Sequence, residues 1–195
     1  DVNGSFNSLT PNNINDEIRE KLVNFYGEQL DKFPHLHDKI EFELVFSCYD
    51  LSTDDKLIQL KKYGFVDNEI EYIKSRLLEF TNNLLKQFPI LLQESCDSTV
   101  NLKNRYDQVV ENLEKSEKTH HDFLCAADQL LKDCVDFGTI PFSTMARIAF
   151  IANAMLKSLP IKGILEESEI LLFMNSIKTP LSELRYDIDL LYKKK

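Results

Sequence analysis

Apolar residues recur along this chain mainly at three- and four-residue spacing, the period of a helix face. Ile14, Ile18, Leu22, Phe25 and Leu30 mark a helix opening near Asn15, with acidic residues in its first turn and Pro34 ending it. The residues before it are polar and turn-like, ending in Thr10-Pro11-Asn12-Asn13, so 1–12 reads as an irregular lead-in to a helical domain over 13–195. Ser52 or Thr53 caps a short helix that stops before Gly64, whose missing Cβ suits a left-handed turn. Asp67 caps a longer one with Ile70, Ile73, Leu77, Phe80 and Leu84 as its stripe. Pro89 is expected to stop it, leaving 90–98 as a linker.

Two more helices follow, over about 99–118 (Leu102, Tyr106, Val109, Leu113) and about 119–137 (Phe123, Ala127, Leu130, Leu131, Cys134). Gly138 and Pro141 close the second of these. Beyond them Met145, Ile148, Ala149, Ala152, Met155, Leu156 and Leu159 lie on one face, and Phe150, Ile151 and Ala154 fill much of the other. A helix apolar nearly all round predicts a buried central element over 142–159, with Arg147 the awkward charge inside it. A short helix carrying Ile170, Leu171, Phe173 and Met174, and a last one from about Pro180 to Tyr192, complete the chain. One stretch is ambiguous. Ile40, Phe42, Leu44 and Phe46 alternate with Glu41 and Glu43 as a half-buried strand would, but no second stretch offers a partner, which favours a buried helix. The pattern predicts an all-α fold, a single domain of about eight or nine helices around the 142–159 helix.

Composition agrees. Five glycines and six prolines in 195 residues favour helices over a turn-rich sandwich or barrel. The net charge of -9 disfavours nucleic acid as a partner, since an acidic surface repels phosphates. Cys48, Cys96, Cys125 and Cys134 form no CxxC pair, so free thiols in a reducing, cytoplasmic setting are expected. No membrane partner is expected either, because Arg147 and Lys157 interrupt the most apolar stretch before it reaches about eighteen uncharged residues. An opening on Asp1-Val2-Asn3-Gly4, without an initiator Met, reads as a piece of a larger polypeptide.

Candidate chemistry is sparse. The glycines are too scattered for a dinucleotide fingerprint or a P-loop, and neither GxSxG nor HExxH occurs. His35 and His37 form an HxH beside Asp38, Glu41 and Glu43, and the helical geometry favours capping or ion pairing over a metal site. His120 and His121, adjacent on a helix, point about 100° apart, an arrangement unsuited to gripping one metal. Glu41 and Glu43 suggest an acid–base pair or partners for basic side chains. Burying the Arg147 guanidinium requires a carboxylate or carbonyl fork, and a pair with Glu41 or Glu43 is the expected solution. The alternative is an anion or substrate contact near the Gly138–Pro141 turn, with Thr139, Ser5 and Asn7 as neighbours.

Several segments carry a resemblance together. They are Val2-Asn3-Gly4-Ser5-Phe6-Asn7-Ser8-Leu9, Lys21-Leu22-Val23-Asn24-Phe25-Tyr26, Pro34 to Tyr49, Tyr63-Gly64-Phe65, and Gly138-Thr139-Ile140-Pro141-Phe142 with Met145-Ala146-Arg147 and Phe150-Ile151-Ala152. In this order they resemble the helical central region of large bacterial proteins of the phosphoenolpyruvate synthase / pyruvate phosphate dikinase type. The resemblance implies an upstream ATP-grasp (PEP/pyruvate-binding) domain as partner, and ATP and Mg²⁺ as cofactors of the parent transferase but not of this segment. None of the family's catalytic residues maps onto the chain, and no histidine lies in a Thr-Ser-His-Ala type motif. The implied role is a non-catalytic linking domain. A small-molecule or protein-interaction helical module is the alternative.

Overall fold

The computed structural model describes residues 2–180 apart from Ser116, together with 182–184 and 187–188. The helix expected from Pro180 to Tyr192 therefore lies largely outside the described residues. The fold is all-α, and no strand occurs among the described residues. Helix α1 (Val2–Leu9) leads into α2 (Asp16–Lys32), whose first turn is capped by the Asn15 side chain accepting from the Ile18 N–H at 2.9 Å. The 1–12 stretch is thus mostly helical rather than irregular. Its Phe6 is fully buried against Tyr26, with ring centroids 5.6 Å apart.

Pro34 opens a 3₁₀ turn over Pro34–Lys39, followed by one π turn over Ile40–Leu44. The ambiguous stretch is therefore helical where Glu41 and Glu43 sit, and extended only from Val45. A short α3 (Thr53–Ile58) tightens into a 3₁₀ turn that ends on Gly64 at φ +80°, the left-handed conformation expected there. The core gathers here. Phe6, Leu22, Tyr26, Leu57, Leu60, Ile73 and Leu77 are all buried.

Helix α4 (Asp67–Glu114) spans 48 residues and passes straight through Pro89, so the expected stop and the 90–98 linker do not exist. Proline costs a helix one N–H bond, here to the Leu85 carbonyl. Leu85 is 45% exposed, so water can take over that acceptor. Helix α5 (His120–Cys134) likewise continues through a π turn (Val135–Thr139) into α6 (Ile140–Ile161). The wider π turn accommodates Pro141, which has no N–H, at the start of α6. Gly138 sits where this bulge approaches α4, its Cβ position 3.4 Å from Leu102 Cδ2.

The expected buried central helix is corrected by the structure. Of α6 only Ile148, Ile151 and Ser158 are buried, and Phe142 is 73% exposed. Among the described residues, its neighbours cover one flank only. The unbroken helix His120–Ile161 is also long and apolar enough to cross a membrane by length and composition, with 6% of its most apolar window buried. Finally α7 (Glu167–Ser176) follows Gly163 and buries no residue.

Candidate functional site

Helix α1 ends with carbonyls that have no partner inside the helix, and each needs a donor. Thr10 supplies its N–H and hydroxyl to the Phe6 carbonyl, at 3.0 and 2.8 Å. Arg19 reaches back from α2 to the Asn7 carbonyl at 3.2 Å, and onward to those of Thr10, Pro11 and Ile14. Arg147, from α6, donates to the Ser8 and Leu9 carbonyls at 2.8 and 3.3 Å. Two cations at a helix C-terminus also complement its dipole. Arg147 lies over the Phe80 ring as well, 5.6 Å from its centroid. The expected pair with Glu41 or Glu43 does not form: Glu43 meets Lys39 at 3.3 Å, and among the described residues Arg147 makes no ion pair. Neutral carbonyls cost a half-buried guanidinium less than an enclosed carboxylate does, because only one charge is desolvated.

Residues 41–53 face α6 across a cavity of about 340 Å³. Three hydroxyls hold this segment. Tyr26 accepts from the Phe46 N–H at 3.1 Å, Thr81 from the Tyr49 N–H at 2.8 Å, and Ser158 from the Leu51 N–H at 3.3 Å. Burial pushes the Tyr26 phenol well above its ordinary range, so the hydroxyl stays protonated. Asp50 organises the start of α3, accepting from the Ser52 N–H and hydroxyl at 2.7 Å and from Lys56 at 2.8 Å. Burial works to raise its pKa, and the Lys56 and Ser52 bonds outweigh that, holding the carboxyl below the usual range. Burial, with Asp50 nearby, pushes the Cys48 thiol up to about 11, so at neutral pH it is no thiolate nucleophile.

The structure brings Thr139 and Arg147 to one cavity of about 420 Å³, while Glu41 and Glu43 line the other. Thr139 donates its hydroxyl back to the Cys134 carbonyl at 3.3 Å. Ser5 and Asn7 contribute backbone carbonyls to local bonds and do not line that cavity. A third hollow, near Phe142 and Ile151, shares Ser143 and Arg147 with one cavity and Ser47 and Phe150 with the other, making a groove along α6. His37 pairs with Asp38 at 3.5 Å, and His120 and His121 open α5, which Thr119 caps.

Asp50, Arg19 and the hydroxyls of Tyr26 and Thr81 escaped sequence reasoning. Only the Asp50-Leu51-Ser52-Thr53 run carried a local signal, as an Asx-type turn before a helix. Lys56 and Lys39 already engage Asp50 and Glu43, and among the described residues no three metal-ligating side chains converge. In comparisons with known proteins, no family model, no curated protein and no solved structure matches the chain.

Proposed function

We propose that this chain is a non-catalytic docking domain, a helical linking element of a larger cytoplasmic phosphotransferase of the phosphoenolpyruvate synthase type. The observation that carries the docking role is α7. Leu171, Leu172, Phe173 and Met174 are 62%, 71%, 54% and 47% exposed, and no residue of this apolar helix is buried. Leu124, Leu131, Val135 and Phe142 extend the same character along α5 and α6. Exposed apolar side chains in such number suit an interface, and domains of one polypeptide supply such partners. The parent class rests on the sequence resemblance, with its ATP-grasp neighbour the partner that covers the surface. Arg147 and Lys157 within His120–Ile161 favour that protein partner over lipid.

Purified alone, the chain should turn over neither ATP nor pyruvate. Adding an ATP-grasp domain from a phosphoenolpyruvate synthase-like protein should produce a complex by analytical ultracentrifugation. ATP hydrolysis by the chain alone would defeat the non-catalytic reading. Failure to bind any such domain would favour a stand-alone interaction module.

A further inference from the structure

We infer that the cavity between α1, α4 and the π turn is a binding site for a small organic carboxylate with an apolar tail. The hollow offers about 420 Å³ and is open to solvent, room for a small ligand laid along its wall. Phe80, Leu84 and Ile140 give it an apolar wall, and the only charged side chain lining it is Arg147. That charge is half-buried, and what meets it is the Phe80 ring and two neutral carbonyls rather than a carboxylate. Its hydrogen bonds go to the neutral Ser8 and Leu9 carbonyls, and it makes no ion pair among the described residues of a chain whose net charge is -9. Those two bonds leave other N–H groups of the guanidinium for a carboxylate, the anion whose planar geometry its fork matches. Ser143, also in the lining, now donates to the Thr139 carbonyl at 2.9 Å and can turn its hydroxyl toward a bound oxygen.

A single cation beside hydrocarbon selects both charge and shape. Inorganic phosphate wants further donors and gains nothing from the wall, and a neutral alcohol brings the guanidinium no carboxylate. The inference does not depend on the docking role, since this lining shares with the exposed α5–α7 apolar residues only Ile140.

The test is a calorimetric titration of the intact chain with hexanoate, with 1-hexanol and inorganic phosphate as comparators. Hexanoate should bind saturably, and each comparator should bind about tenfold or more weakly. Ser143 is exposed and one helical turn before Arg147. Ser143→Asp therefore places a competing carboxylate beside the guanidinium without removing its grip on α1. That variant should keep the wild-type melting curve and lose about tenfold or more in hexanoate affinity. Ile140→Glu, at a position 56% exposed, should act in the same way from the other end of the cavity. Equal binding of hexanol would reduce the site to an apolar crevice, and preference for phosphate would make it a general anion site. Absence of hexanoate binding, or binding indifferent to both substitutions, would also overturn the proposal.

Discussion

Arg147 is the residue on which the fold turns most sharply away from expectation. It serves as the terminal donor of α1, joining the first helix to the sixth through the Ser8 and Leu9 carbonyls. Arg147→Ala strips both carbonyls of their charged donor and uncovers Phe80, so chemical denaturation should show a loss of about 2 kcal/mol. Glu41→Gln and Glu43→Gln should each change stability by less than about 0.5 kcal/mol. A loss at either glutamate equal to that at Arg147 would restore the ion pair that the structure replaces. Asp50 gives a pH signature. Its folded carboxyl titrates below its unfolded value, so its stabilisation is complete above about pH 4 and fades as the pH falls further. Asp50→Asn should lower stability at pH 7 and flatten the acid limb of the stability curve; an unchanged limb would remove Asp50 from that role. Alkylation at pH 8 should reach the exposed Cys96, Cys125 and Cys134 well before Cys48, whose thiol titrates near 11.

At the scale of elements, two long helices pass through residues that punctuate helices locally. Pro89 lies on an exposed face of α4, where the loss of its N–H bond is tolerated but still costs stability. Pro89→Ala should therefore raise the melting temperature, the restored bond contributing about 1 kcal/mol or more. A fall would mean that proline stabilises α4 at this position. The helices with one apolar stripe were legible in the sequence. Ile18 and Leu22 of α2, and Ile73 and Leu77 of α4, are buried as their spacing predicts. Gly64 also ends its turn as expected. The misses share a cause: local signals were read without their tertiary surroundings. Pro89 and Gly138 look like breaks, yet α4 tolerates Pro89 on an exposed face, and the π turn takes Gly138 in against Leu102. Val2, Phe6 and Leu9 have helical spacing, but in so short and polar a segment only the contact of Phe6 with Tyr26 makes it decisive. The α6 sequence is apolar all round, which specifies something to be covered but not by what.

The site was legible only in part. Thr139 and Arg147 line one cavity. Glu41 and Glu43 lie along α6 at a different cavity, and no sequence pattern revealed that the carbonyls of α1 would occupy Arg147.

For the whole molecule, packing is uneven. The core is built by α1, α2, α3 and the first turns of α4, where aromatic and aliphatic side chains from every element meet. Beyond Thr81, α4 buries nothing, α5 buries only Asp133, and α7 buries no residue at all. Asp133 accepts from Arg105 at 2.7 Å, a link that fixes the register of α4 against α5 where few apolar contacts do so. The outer half of the molecule is thus shaped by long helices and local polar ties, and many of its apolar side chains are exposed. Leu172→Lys should leave the melting temperature within about 1 °C, since that side chain is 71% exposed, while reducing self-association at high concentration.

On the proposed docking role, a neighbouring domain covers α7 and the exposed apolar side chains of α5 and α6. Hydrogen exchange over 167–176 tests this most directly, measured on the chain alone and on the chain joined to an upstream ATP-grasp domain. The account predicts fast exchange in the isolated chain and slowing of about tenfold or more when the neighbour is attached. Identical exchange in the two proteins would contradict it.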